Sequence, residues 1–313
     1  MARNQKTRNA PPPSPATPNR WVEFRRQLYR PLTLVTAASV LGLSFILPAL
    51  RDLLPNLQGA DTYKMRADQI QITQPPRWAP SNLVEQVVDQ AELPEELSLL
   101  DPGLVQELAN AFALHPWVAE VVSVQKSFPP RIEVQLTYRQ PIAMVAVTQG
   151  KYPIDPEGIL LPPQDFSPAD ARAYPLIAQV HSTPQGPAGT SWGDSVVTEA
   201  AQLAAQLAPY WKKWHLESIV CPRTTGDSDA LETGVFVLTT TGGSQIIWGR
   251  GPNDEHPGEP TTTQKIERLG NYARKFGGLD QPERKFKIDI RHWRDIARSP
   301  LSALPDLMET ARR

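Results

Sequence analysis

Five histidines, His115, His181, His215, His256 and His292, are the side chains here best suited to metal or proton chemistry, and no two stand at metal-ligand spacing. Each reads as an ordinary surface or strand-end residue. Asp155 and Glu157 sit close enough in sequence to suggest a carboxylate pair for general acid–base work. The run Asp155-Pro156-Glu157-Gly158 is also a turn sequence, and the turn accounts for both acids at once. Asp227, Asp229 and Glu232 cluster in a polar stretch that could attract a cation, but without the spacing of a ligand set. Cys221 is the only cysteine, so it forms no intramolecular disulfide and reads as a small buried side chain after a strand. There is no Gly-x-Ser-x-Gly elbow, P-loop or dinucleotide fingerprint, and Gly249-Arg250-Gly251 is a strand-end loop. Trp211 and Trp214 around Lys212 and Lys213 read as packing aromatics with solvated lysines rather than as a membrane-proximal patch. The expectation is a chain with no catalytic residues, no metal, no cofactor and no small-molecule substrate. Its function must then lie in its surfaces.

The distribution of charge sets the organisation. Residues 1–31 carry seven basic side chains and one acid, residues 32–50 carry no charge, and the remainder carries 25 basic and 32 acidic residues. A mildly acidic body argues against nucleic acid as a partner. The segment LTLVTAASVLGLSFILPAL, residues 32–50, has the length of a membrane span, since 19 helical residues at ~1.5 Å each approach the ~30 Å hydrocarbon core. The basic arm before it predicts a cytoplasmic N-terminus and an extracytoplasmic C-terminal body. A cleaved signal peptide is the main rival, and Leu57-Gln58-Gly59-Ala60 suits a peptidase loosely. The long arm and an apolar stretch exceeding the usual about 7–15 residues favour an uncleaved anchor. The arm itself, with PPPSPATP at 11–18, has too few apolar residues to fold alone.

From Tyr63 the pattern is that of a small β-α-α-β-β unit. Ile70 and Ile72 alternate in a short strand; Asn82 starts a helix with Val84, Val87, Val88 and Ala91 on one face; Asp101-Pro102 starts a second, with Leu104, Val105, Leu108, Ala111 and Phe112 as its stripe. A hairpin follows across Ser127-Phe128-Pro129-Pro130. Val122 and Val124 are expected to face inward on one arm, and Ile132, Val134, Leu136 and Tyr138 on the other.

The stretch HPWVAEVVSVQKSFPPRIEVQLTYRQPIAMV resembles the end of the POTRA domain and the entry to the next domain in the FtsQ/DivIB cell-division family. Pro116-Trp117-Val118, Val122, Val124, Lys126, Phe128-Pro129, Ile132, Val134 and Pro141-Ile142-Ala143 carry the likeness. Tyr138-Arg139-Gln140 stands where the family has Glu-Arg. The resemblance continues through the turn at Asp155–Gly158 before Ile159-Leu160-Leu161, through Tyr174-Pro175-Leu176-Ile177, and through a glycine turn at 241–243 into Gln245–Gly249. It ends in Phe286-Lys287-Ile288-Asp289-Ile290-Arg291, with His292 at a usual tyrosine. Between these pieces the pattern gives a helix from Asp194 and another after Thr261–Thr263, with Ile266, Leu269, Ala273 and Phe276 on one face and Gly277-Gly278 at its end.

The expected architecture is therefore α+β: a cytoplasmic tail (1–31), a single transmembrane helix (32–50), a linker (51–62), a βααββ POTRA domain (63–140), a larger α+β domain with a mixed or antiparallel sheet (141–297), and a tail (298–313). The resemblance implies a non-catalytic, single-pass protein of the cytoplasmic membrane at the division septum. Its partners would be other divisome membrane proteins, such as small single-pass coiled-coil proteins, bound by strand addition near the C-terminus. By position, the accepting edge would be Phe286, Lys287, Ile288, Asp289, Ile290, Arg291, His292 and Trp293. The tail departs from the family, because Leu301, Leu304, Leu307 and Met308 suggest a short amphipathic helix that either binds partners or covers that edge. POTRA modules also occur in envelope-assembly and transport proteins, the second reading.

Overall fold

A computed structural model describes residues 35–44, 46, 61–222, 234–252, 258–280 and 284–301. Two compact units divide it, residues 1–60 and 61–313. In the first, residues 35–44 and 46 are helical, and Val35, Val40, Leu41, Leu43 and Ile46 are exposed. Among the described residues no helix is long and apolar enough to cross a membrane. The rest of the 32–50 segment, the basic arm, the Leu57–Ala60 site, the Asp227–Glu232 cluster, His256, Leu304, Leu307 and Met308 lie outside the described residues.

The second unit begins with β1 (Lys64–Arg66), β2 (Gln71–Ile72), α1 (Leu83–Gln90), β3 (Glu96–Ser98), α2 (Leu104–Ala113), β4 (Val118–Ser127) and β5 (Arg131–Tyr138). β2 runs parallel and β4 antiparallel to β5, giving the order β2-β5-β4; β1 and β3 form a separate two-stranded ribbon that the apolar pattern does not announce. Leu83, Val87, Leu108 and Phe112 from the helices bury against Ile132, Val134 and Leu136 of β5. Both helices start differently from expectation. The Asn82 side chain accepts from Gln86 Nε2 at 3.1 Å rather than capping, and Asp101 Oδ1 accepts from the Gly103 N–H at 2.8 Å, a local turn that delays α2 to Leu104. The hairpin also deviates. Val122 was expected inside and is 57% exposed, because the register shifts between Val121 and Ser123; that bulge turns Val121 toward the core instead.

β6 (Ala143–Val147), β7 (Gly150–Ile154), α3 (Pro168–Ala171), β8 (Leu176–Ala178), α4 (Ser195–Trp211), β9 (Leu216–Val220), β10 (Phe236–Thr240), β11 (Gln245–Gly249), α5 (Thr262–Phe276), β12 (Phe286–Asp289) and β13 (Ala297–Pro300) make up the rest. Eight strands form one mixed sheet in the order β13-β12-β11-β10-β9-β8-β6-β7, with β6/β8, β8/β9 and β11/β12 parallel. Asp194 caps α4 through its bond from the Val196 N–H, and a Thr261/Gln264 capping box starts α5. Gly277 ends α5 at φ 76°, a left-handed position suited to glycine. The small residues Ala200, Ala201 and Ala204 bring α4 close to the sheet, where Val197, Leu203 and Leu207 bury with Trp192, Trp248 and Ile288. Trp214 is buried and stacks on Tyr210 at 4.6 Å, as a packing aromatic should. α5 buries Leu269 and Tyr272, and also Lys265, whose ammonium pairs with Glu259 at 2.7 Å.

The two cores are joined by the segment after β7. Leu161, fully buried, belongs to the core built on α1, α2 and β5, and Phe166 stacks on Trp117 at 5.9 Å. Trp117 donates its indole N–H to Asp165 at 2.7 Å, and Arg139, just past β5, pairs with Asp155 at 2.8 Å. Leu161→Ala should lower the unfolding free energy by about 2–5 kcal/mol in urea denaturation, since it empties a filled site in the core of the first module. A second expectation concerns His115. Its Nδ1 accepts from the Trp117 N–H at 3.3 Å, which leaves Nε2 to donate to Gln86 Oε1 at 3.0 Å. Burial holds the imidazole below its ordinary 6.5, against the opposing charge of Asp165. The unfolded state therefore binds the proton more readily, so this stabilisation is complete above pH 6.5 and is lost as pH falls through the lower folded value. Thermal melts between about pH 7.5 and 5 should show a steeper loss in the parent than in His115→Gln.

Candidate protein-interaction edge

A sheet in water ends in two edges, and each must be paired, blunted or used. The β7 edge is blunted. Ile142 N–H bonds the Ile154 carbonyl, so Ile154 and Tyr152 face β6, while Lys151 and Pro153 face outward. Pro153 has no N–H, and its carbonyl accepts from Leu161 at 2.9 Å. Asp155 fixes that return: its Oδ1 accepts from the N–H groups of Glu157 and Ile159, both at 2.9 Å, and its Oδ2 from Arg139. The two acids at 155 and 157 are thus a turn and an ion-pair site. Gly158 completes the turn at φ +75°, where a Cβ would lie 2.8 Å from Thr198 Oγ1.

Among the described residues the other edge, β13, has no partner strand on its outer side, and it is not the edge the sequence points to. The sequence places the accepting edge at Phe286–Trp293, of which the strand portion, Phe286–Asp289, is β12. It is interior, parallel to β11 on one side and antiparallel to β13 on the other. The sequence pattern missed β13 because four residues, Ala-Arg-Ser-Pro, have neither apolar alternation nor length. Past β12, Ile290 is buried, and Arg291 pairs with Asp289 at 2.6 Å; His292 and Trp293 are exposed. Burial opposes the charge on Asp289, but the Arg291 guanidinium and backbone N–H outweigh it and hold the carboxyl below its ordinary value. Of the leucines and methionine expected to form a terminal helix, Leu301 alone is described; its N–H bonds the Lys285 carbonyl, extending the β12–β13 ladder.

That bond sets the phase of β13. With Leu301 facing β12, so do Ser299 and Ala297, opposite Lys287 and Asp289. Ile296, Arg298 and Pro300 direct their backbone groups outward. Two N–H donors and three carbonyls are therefore available to an incoming strand, and Pro300 limits its run. Hydrogen exchange checks this directly: the Ala297, Ser299 and Leu301 amides should exchange more slowly than those of Ile296 and Arg298.

Elsewhere the chemistry-bearing residues are dispersed. Among the described residues no group of three or more His, Cys, Asp or Glu is placed to hold a metal ion. His181, His215 and His292 are exposed at separate positions, and His115 is buried at the end of α2. The Cys221 thiol is buried, and burial together with the charges of Asp194 and Glu199 pushes its pKa up to about 12, so it is a thiol at neutral pH.

The chain is similar to the cell division protein FtsQ of Anaeromyxobacter sp. (strain K), 29% identical over 148 residues covering 47% of this chain and 46% of that protein. It is also similar to the cell division protein FtsQ of Myxococcus fulvus (strain ATCC BAA-855 / HW-1), 25% identical over 189 residues covering 60% and 58%. It spans about half the length of the curated relatives it matches. No family model matches the chain. Both of these relatives are named as cell division proteins.

Proposed function

We propose that the protein is a non-catalytic scaffold of the division machinery, anchored in the cytoplasmic membrane by residues 32–50 and linking other divisome membrane proteins through its extracytoplasmic body. The observation that carries this reading is the asymmetry of the eight-stranded sheet: one edge is closed by Pro153 and the 155–161 return, and the other ends in β13, which has no further partner strand among the described residues. Strand addition at β13 gives main-chain affinity to an extended partner segment, with side-chain pockets giving selectivity. Small single-pass coiled-coil proteins are the partner class proposed. The exposed apolar residues of the helix at 35–46 suit a lipid environment, and the basic arm before it suits the cytoplasmic side. The module of α1, α2 and the β2-β5-β4 sheet is the proposed POTRA domain, which supports the edge-bearing domain through the Leu161 and Asp155 junction.

Depletion of the protein, followed by microscopy of cell length and septum position, tests this. Elongating cells without septa are the expected result. Normal septation with envelope leakage or secretion defects would instead favour a POTRA-containing accessory of envelope assembly or transport.

A further inference from the structure

Behind the sheet, at the end opposite β13, a cleft of about 330 Å³ opens between β6–β7 and the chain that crosses to β8. Its position follows from strand alternation. Ala143, Val145, Tyr152 and Ile154 belong to or pack on the core that includes α4, so Met144, Lys151 and Pro153 face the other side of the sheet. The crossing chain is fastened at both ends. Leu161 N–H bonds the Pro153 carbonyl at 2.9 Å, and the Pro175 carbonyl accepts from the Met144 N–H at 2.8 Å. Between those points Phe166 and α3 form the outer wall. Phe166 is held by Trp117 and Tyr174, at ring-centroid distances of 5.9 and 6.0 Å, and a Ser167/Asp170 capping box fixes the start of α3. The cleft is therefore preformed.

Charge and apolarity meet in it. Residues 61–222 hold ten basic and eighteen acidic side chains, yet two of the ten, Lys151 and Arg172, line the cleft and none of the eighteen does. Both cations are exposed, and among the described residues neither side chain has a hydrogen-bond or ion-pair partner. Asp170, the acid nearest Arg172 in sequence, is taken up by the Ser167 hydroxyl and N–H. The walls are otherwise largely apolar, with Phe166 and Ala171 half-buried and Met144 closing the floor. The volume lies near the small end of the about 300–1,000 Å³ range of ligand pockets, and it suits one large side chain with its charge. A chain end meets these terms with a single residue, because side chain and carboxylate share one Cα. An internal acid would need a second residue for the apolar wall. We propose that this cleft binds the C-terminal residue of a partner chain, apolar in its side chain, with its carboxylate between Lys151 and Arg172. Charge-assisted bonds supply the selectivity. Its place at the opposite end of the sheet from β13 makes this a second contact, independent of strand addition.

The test uses the full chain and dye-labelled Gly-Ser-Gly-Ser-Gly-Leu peptides, ending in a free carboxylate or an amide, read by fluorescence anisotropy. The free acid should bind about tenfold more tightly than the amide. Lys151→Gln with Arg172→Gln should erase that difference and leave circular dichroism unchanged, since both side chains are exposed and unpaired. Ala171→Trp, which fills the cleft, should abolish binding of both peptides. In the parent, the free acid should shift the methyl NMR signal of Met144. Equal binding of acid and amide, no binding up to millimolar concentration, or a preference that survives Lys151→Gln with Arg172→Gln would overturn the proposal. So would an end-blocked peptide with an internal Asp-Leu pair that binds as tightly as the free acid, which would assign the cleft to an acidic segment instead of a chain end.

Discussion

The Asp155 carboxylate is the contact on which the rest of the second unit depends. One side chain, almost fully buried, accepts from two backbone N–H groups of its own turn and from the Arg139 guanidinium at the end of β5. Removing one partner of a buried ion pair costs about 3–5 kcal/mol, because the other is left charged without water. Here the cost would not stay local. The turn delivers Leu161 to the neighbouring core, and Leu161 N–H in turn caps the outer face of β7. Domain packing and edge protection are therefore two results of the same hydrogen-bonded turn, and Gly158, at a positive φ against Thr198, is what lets the chain make it.

With β7 closed, the sheet's remaining unpaired edge among the described residues is β13. The strand has features that limit indiscriminate pairing: four residues, a proline at its end and a cation in its middle. An edge of this kind offers too few bonds to hold an arbitrary strand, so a partner must gain free energy from side chains as well.

Much of this was legible in the sequence, and the exceptions have physical causes. The hairpin, the α5 positions Ile266, Leu269 and Ala273, the glycine stop at 277 and the turn at 155–158 follow from periodicity and turn chemistry, which act over a few residues; Phe276, expected on the same face, is 39% exposed, and Lys265 and Tyr272 are buried instead. Cys221 behaves as the lone buried thiol its context suggested. Val122 escaped because a bulge is a register event between two strands, invisible in the alternation of one. The β1–β3 ribbon and β13 escaped because strands of three or four residues have no period to read. The edge was consequently placed on β12, whose apolar alternation reflects burial between two neighbours rather than exposure.

The charge pattern gives the two parts of the body different roles. Residues 61–222 carry ten basic and eighteen acidic side chains, the reverse of the balance around α5 and β13. In the proposed scaffold this opposition would favour approach of an acidic segment on the α5 and β13 side, within the range of about a Debye length. Orientation matters because a short strand must arrive in register to form its few bonds. The Asp155 junction makes that field useful, since a steering potential requires that its positive and negative parts keep a fixed relation. The buried ion pair and the closed edge thus act in series: the first fixes the geometry, and the second leaves β13 as the edge at which the proposed strand addition would occur.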